Sequence, residues 1–337
     1  MRLIYQLVNN YGVAIVLFTI ITKILLFPIS YKQQKNTLRM QLIQPKLKKL
    51  QAKYKDKPQE LQQAQMQLYQ EEHVNPMSSC LPMFLQFFLL FGVLDVVYKP
   101  LTHILHYSKS VISKVVEIST GILGDSVAKQ YTGLRQELGV LKAFQDNPSA
   151  FSNVDTFDTS KVSDFMEHFT VFGVNLGETP TWHPEVWNTS AVILFCIPLL
   201  SGILQLIMTI YMQIMQKKRG TAPEQNMGCM NVMLYVMPLF SVWFAFQVSA
   251  GVGFYWACSS FFSLLQTIGL NLYFTPERGA KIIEKENKKM EARYAAGKQS
   301  FMERMMNQNA GAARVQETEK TKNMSNRELS SYNKQKI

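Results

Sequence analysis

The sequence predicts an all-α integral membrane protein, with five transmembrane helices around a hydrophilic groove and a cytoplasmic helical hairpin. Three observations carry that expectation. The apolar residues, 47% of 337, are pooled into five long runs, each near the ~20 residues that cross ~30 Å of hydrocarbon at ~1.5 Å per residue. Lys and Arg are pooled between the runs, the arrangement that sets orientation in a bilayer. Polar side chains, one of them charged, recur near the middle of several runs, which a packing role alone does not require.

Taken in order, residues 1–11 place Leu3, Ile4, Leu7, Val8 and Tyr11 on one helical face, the pattern of a short amphipathic helix on the outer membrane surface. The first span is 13–30. Only Arg2 precedes it and a basic cluster follows, the reverse of a cleavable signal peptide. Residues 31–75 are polar and favour helix, interrupted at YKDKP, 54–58. They are expected to form the cytoplasmic hairpin, with Pro58 in the first turn of its second arm. Leu38, Met40, Leu42, Leu47, Leu50, Leu61, Met66 and Leu68 would pack the two arms together or offer adaptable contacts to apolar substrates.

The second span is 77–98, entered at Asn75-Pro76. An extracytoplasmic segment, 100–187, follows. In it Leu101, Ile104, Leu105, Val111, Ile112, Val115 and Val116 share a face over 101–119, which reads as one interfacial helix. His103 and His106 stand at i and i+3 without a third ligand nearby, which argues against a metal site. Residues 120–184 have no clear period. Trp182 and Trp187 in TWHPEVW suit an aromatic anchor at the outer interface. The third span, 190–215, leads through a short cytoplasmic loop, 217–228, to the fourth, 230–248, and the fifth, 251–274. A basic cytoplasmic tail, 276–337, closes the chain. Cys80, Cys196, Cys229 and Cys258 fall in or beside spans, as small packing residues rather than a disulfide framework.

Charge gives the orientation. Residues 31–75 hold nine Lys/Arg against four Asp/Glu, and 276–337 hold fourteen against eight. Residues 100–187 hold six basic and ten acidic residues. The expected topology is N-terminus outside and C-terminus inside.

Lys23 lies ten residues into the first span, about 15 Å below the outer surface, where a charge is expensive. Thr19, Thr22, Lys23 and Ser30 share one face. At similar depth stand Ser201 and Gln205 in the third span, Ser241 in the fourth, and Ser259, Ser260, Ser263 and Gln266 in the fifth. Asp95 is the intramembrane carboxylate to consider as a partner, but it lies about three residues from the outer end of its span, an axial gap of ~10 Å. The residues point to a wet cationic groove. No His–carboxylate pair and no nucleophile with a base stands in the spans, so catalysis is not expected.

Several stretches together resemble the YidC/Oxa/Alb membrane protein insertases: YGVAIVLFTIITKILLFPISYKQQK, QPKLKKLQAKY, VNPMSSCLPMFLQF and MLYVMPLFSVWFAF followed by GVGFYWACSSFFSLLQ. The resemblance covers about 11–100 and 188–275. It implies a groove open to the cytoplasm and to lipid, with a positive residue in the first span. Lys23 matches that position, where the family usually has arginine. Phe88 and Ser249 stand where the family commonly has proline. By position, Thr22, Gln86, Gln205 and Trp256 resemble groove-facing residues, and with Lys23, Thr19, Ser201, Ser260 and Ser263 they make up the candidate substrate groove.

The resemblance implies insertion and folding of nascent membrane proteins without ATP, cofactor or metal. Implied partners are the substrates themselves, the ribosome through the basic tail, the Sec translocon and signal recognition particle pathway, and the lipid bilayer. The large outer domain of Gram-negative members, with its leading span, has no counterpart here, so a bacterial plasma membrane of the Gram-positive type is the expected home. Two other classes remain open at this point: a transporter or channel with a cationic site for anionic solutes, which lacks visible inverted repeats, and an assembly factor for other membrane complexes.

Overall fold

The computed structural model describes residues 1–55, 57–72, 74, 81–219 and 228–295. The expected start of the second span at 77–80, most of the loop 217–228 and the tail beyond 295 lie outside the described residues. The chain divides into two units, 1–276 and 277–337.

Helix α1, Arg2–Val8, ends on Asn9 in the left-handed region (φ 48°). Asn10 then caps α2, its Oδ1 accepting the Val13 N–H at 3.0 Å; consecutive Asn residues suit both roles. In α1 it is Tyr5 that is buried, edge-on to Phe165, while Leu3 and Leu7 are exposed.

Helix α2 runs unbroken over Tyr11–Lys53, 43 residues, about 64 Å. The sequence reading separates a first span from a hairpin arm at residue 31; the structure joins them in one rod. Pro28 and Pro45 are accommodated inside it, each withholding one backbone N–H without ending the helix. Past the Tyr54 C-cap of α2, α3, Pro58–Glu71, starts with its proline at the first helical position. It folds back so that Leu68 and Val74 cluster with Ile43 and Leu47, with Lys46 paired to Glu72 at the edge.

Helices α4, Leu81–Tyr98, α9, Thr189–Lys218, α10, Gly228–Ala245, and α11, Ala250–Tyr273, complete the bundle. α11 packs on α9, α2 and α4, and α9 also packs on α10. α2 and α9 contain stretches long and apolar enough to cross a bilayer by length and composition. Their outward faces are apolar too: Leu200, Ile203, Ile207, Ile210 and Ile214 of α9 are exposed at the 3,4 spacing of one helical stripe. On α4, Phe84, Phe87, Phe88 and Phe91 form another. Contiguous apolar surface on this scale is unfavourable in water and matches hydrocarbon.

Between α4 and α9 the chain folds into a helical segment with its own core, continuous with the end of the bundle formed by the start of α2, the end of α4 and the start of α11. Where the sequence suggests one interfacial helix over 101–119, α5 (Pro100–His103) is separated from α6 (Lys109–Ala128) by a turn with His106 at φ 61°. The apolar face is covered by protein rather than left for lipid. Leu101, Ile104, Leu105, Val111 and Val115 join Leu138, Leu141 and Phe144 of α7, Gln136–Asp146, with Phe151, Phe157 and, from α8 (Thr159–His168), Phe165. Glu137 is buried in this core and accepts hydrogen bonds from the Thr102 N–H at 3.0 Å and hydroxyl at 2.5 Å. His103 bonds Asp95 and His106 accepts from the Arg2 guanidinium, both at 2.7 Å.

A hairpin, β1 (Thr170–Val171) with β2 (Val174–Asn175) antiparallel, carries the chain onto the end of α11. There the N–H groups of Ala250 and Gly251 donate to the carbonyls of Glu178 (2.6 Å) and Leu176 (2.8 Å), capping donors a helix start leaves unpaired. The approach needs glycine: a Cβ on Gly251 would stand 3.0 Å from Val97 Cγ1 and 3.1 Å from the Leu176 oxygen. Trp182 stacks on Phe246 at 3.8 Å, and Trp187 meets Phe195 edge-on. In the second unit, the part of α12 (Pro276–Ala295) described carries a Lys288–Glu284 ion pair.

Candidate functional site

The polar residues of α2 and α11 meet along one seam. Lys23 Nζ donates to Ser263 Oγ at 2.7 Å, and the lysine is half-buried. One turn earlier on α11, Ser259 Oγ accepts from Gln86 Nε2 of α4 at 3.0 Å, with the Tyr255 hydroxyl beside them. Ser260 is buried next to this pair. Lys23 and Gln86 are thus anchored on successive turns of α11.

Among the described residues Lys23 has no carboxylate partner. Asp95 is held by Lys99 at 2.5 Å and His103 at 2.7 Å. Its level is given by Tyr11, whose hydroxyl donates to the Val96 carbonyl at 3.4 Å. Lys23 is twelve residues further along α2, about 18 Å along its axis, beyond the reach of the Asp95 side chain.

The other candidates separate into two kinds. Thr19, Thr22 and Ser201 turn their hydroxyls onto carbonyls of their own helices, at Ile15 (2.7 Å), Thr19 (2.8 Å) and Pro198 (2.7 Å). Thr19 and Ser201 are fully buried, so they pack rather than face an open groove. Gln205 is half-buried on α9, its carbonyl accepting from Thr209. Trp256 packs against Phe244 of α10, ring centroids 5.5 Å apart.

Further along the seam are pairs that the sequence reading misses. Gln34 Nε2 donates to Asn271 Oδ1 at 3.0 Å, and both residues are buried. Arg219, just past α9, donates to Gln41 Oε1 (3.3 Å) and to the Phe274 carbonyl (3.2 Å). Their signal is spacing. Lys23, Ser30, Gln34 and Gln41 lie 7, 4 and 7 apart, and Ser259, Ser263, Thr267 and Asn271 lie 4 apart throughout, the registers that keep one face of a helix. Three residues past Ser263, the Gln266 Nε2 is buried with no protein partner among the described residues. A buried amide in that state calls for a polar guest or water.

A cleft of ≈ 430 Å³ opens elsewhere, in the segment between α4 and α9 among Phe144, Met166, Glu167, Val174 and Glu178, with none of the seam residues in its lining. Around Lys23 the seam offers an ammonium, neutral hydroxyls and amides in a low-dielectric setting, with the Arg219 guanidinium further along it. It can attract and orient a negative group.

Residues 3–281 match the family described as 60Kd inner membrane protein. Among curated proteins, the chain is 45% identical over 95 residues to "Membrane protein insertase YidC" of Helicobacter pylori (strain ATCC 700392 / 26695), 28% of this chain and 17% of that one. It is 48% identical over 84 residues to the protein so named from Clostridium tetani, 25% of this chain and 38% of that one. A third, from Francisella tularensis subsp. novicida, is 45% identical over 86 residues, 26% and 16% of the respective chains. The matches thus span well under half the length of these relatives.

Proposed function

Since the chain belongs to the 60Kd inner membrane protein family, whose relatives above are named as insertases, we propose that it inserts nascent membrane proteins into the lipid bilayer. On this reading α2, α4, α9, α10 and α11 are five spans of a bacterial cell membrane, the N-terminus is outside, and the α2–α3 hairpin and basic tail are cytoplasmic. No nucleotide drives the step. An acidic or polar outer segment of a substrate enters the polar seam, drawn by Lys23, and so meets a shorter thickness of lipid. The substrate's apolar helix then leaves along α9 and α11, driven by removal of its own surface from water. The hairpin receives the substrate first, and the tail keeps the ribosome near, with the Sec translocon and signal recognition particle pathway as further partners.

The observation that carries this is Lys23, half-buried in the apolar part of α2 and bonded to the neutral Ser263, with no carboxylate partner among the described residues. A fixed structural ion pair would have no vacancy for a substrate's negative charge; this arrangement does. Lysine attracts a carboxylate as a point charge, without the two-pronged geometry of arginine.

The test is depletion and complementation, scoring insertion of a single-span reporter with an acidic outer tail. Lys23→Arg supports insertion, and Lys23→Ala and Lys23→Glu do not. Equal insertion by all three removes charge attraction from the mechanism. Solute flux in proteoliposomes that depends on Lys23 would favour a transporter instead.

A further inference from the structure

The β1–β2 hairpin sits where the outer segment meets the long helices. Val171 lies over Gly12, the second residue of α2, where an added Cβ would stand 3.1 Å from both the Thr170 oxygen and Val171 Cγ2. Val174 clusters with Leu194 and Ile197 of α9 and Ala250 of α11. Leu194 and Ile197 are five and eight residues past Thr189, so the strand reaches about 8 to 12 Å down that helix from its start.

At the tip, Phe172 and Gly173 both have positive φ, 51° and 77°, the conformation of a tight type I′ turn. Asn, Asp or Gly suits the first position; a bulky aromatic there is strained. The Phe172 ring is also 79% exposed. In water both features are unfavourable. Apolar side chains near the starts of the two helices it adjoins, Val13 of α2 and Val192 of α9, are exposed too. The stretch FTVFGVNLG, 169–177, carries no charge, in a segment where residues 100–187 carry six basic and ten acidic ones.

We infer that the hairpin tip is a lipid-contacting element, with the Phe172 ring seated in the headgroup and acyl-chain boundary beside α2 and α9. Transfer of the ring out of water favours the conformation that the turn alone disfavours. The lack of charge fits lipid better than a partner recognised by ion pairs. The inference rests on α2 and α9 crossing the bilayer, and it adds a second attachment of the outer segment to the membrane besides the helices that frame it.

A cysteine-free chain given a single cysteine at position 172, 155 or 203, labelled with an environment-sensitive fluorophore and reconstituted into phosphatidylcholine–phosphatidylglycerol vesicles, tests it. Asp155 is an exposed outer position and Ile203 lies on the exposed stripe of α9. The label at 172 should emit to the blue of that at 155 and be quenched more by shallow nitroxide lipids than by iodide; at 155 the order reverses. If 172 behaves as 155 does while 203 is quenched by lipid, the lipid contact is wrong and the spanning helices stand. If 203 too is quenched by iodide, the spanning reading falls and takes the inference with it. Phe172→Asn, which suits the turn, provides a second measure. In nanodiscs its amides at 170–175 should exchange faster than in the native chain; equal or slower exchange overturns the proposal.

Discussion

Replacing Lys23 with methionine separates what the charge does for the fold from what it does for a substrate. A lysine at mid-depth in a spanning helix is unfavourable by ~2.5–3.5 kcal/mol on insertion scales. Its 2.7 Å bond to Ser263 is charge-assisted and recovers ~1.5–3 kcal/mol. The difference leaves the lysine between about 0 and 2 kcal/mol unfavourable. Methionine is of similar length, apolar and adaptable. The stranded Ser263 hydroxyl can turn to a carbonyl one turn back, as Ser201 and Ser241 do. Lys23→Met is therefore expected to unfold in micelles at the native temperature or a few degrees above it, while insertion of an acidic-tailed reporter falls to the level of depleted cells. A loss of more than ~1 kcal/mol in stability would mean that the ammonium is a structural keystone. Reporter insertion at the native level would refute the role given to the charge.

Gly251→Ala brings a methyl group against Val97 and the Leu176 carbonyl and should cost ~1–3 kcal/mol in thermal unfolding; Gly121→Ala, with nothing within 4 Å, should gain ~0.5–1 kcal/mol instead. Leu68→Ala removes a buried contact to Ile43 and Leu47, and faster amide exchange over 58–71 should report the loosened hairpin. Burial holds the Glu137 carboxyl above the usual carboxylate value, against the hydrogen bonds from Thr102. The folded chain then binds more protons than the unfolded one as pH rises past the ordinary value of 4.5, so this group's contribution to stability falls with rising pH. Glu137→Gln lacks that slope, and its midpoint relative to the native chain should rise between pH 4.5 and pH 7; a constant difference would refute the assignment.

Lys23 is legible in sequence because a single charge in the run 13–30 has no local explanation. That Asp95 is not its partner is legible too, since their positions along the spans separate them, and among the described residues Asp95 bonds Lys99 and His103. Ser263 can be listed from its spacing, but the Lys23–Ser263 bond joins residues 240 apart in the chain, and no periodicity states which helices touch. Gln34–Asn271 and Arg219–Gln41 are hidden for the same reason, compounded by Gln34, Gln41 and Arg219 lying past the apolar runs where polar residues look ordinary. The outer segment is least legible. Its core is built from aromatics on short helices and turns, such as Phe144, Phe151, Phe157 and Phe165, whose spacing follows no single period. The continuous α2 is masked by the abrupt change from apolar to polar composition and by Pro28, both of which read as an ending.

That continuity makes α2 a lever. Lys53 is thirty residues past Lys23, about 45 Å along the axis, so a 5° tilt pivoting at the lysine swings the hairpin by about 4 Å. The one soft joint on that arm close to the pivot is Pro28, which leaves the Ile24 carbonyl without its usual donor. A load placed on the hairpin is therefore carried along the rod to the polar seam at Lys23.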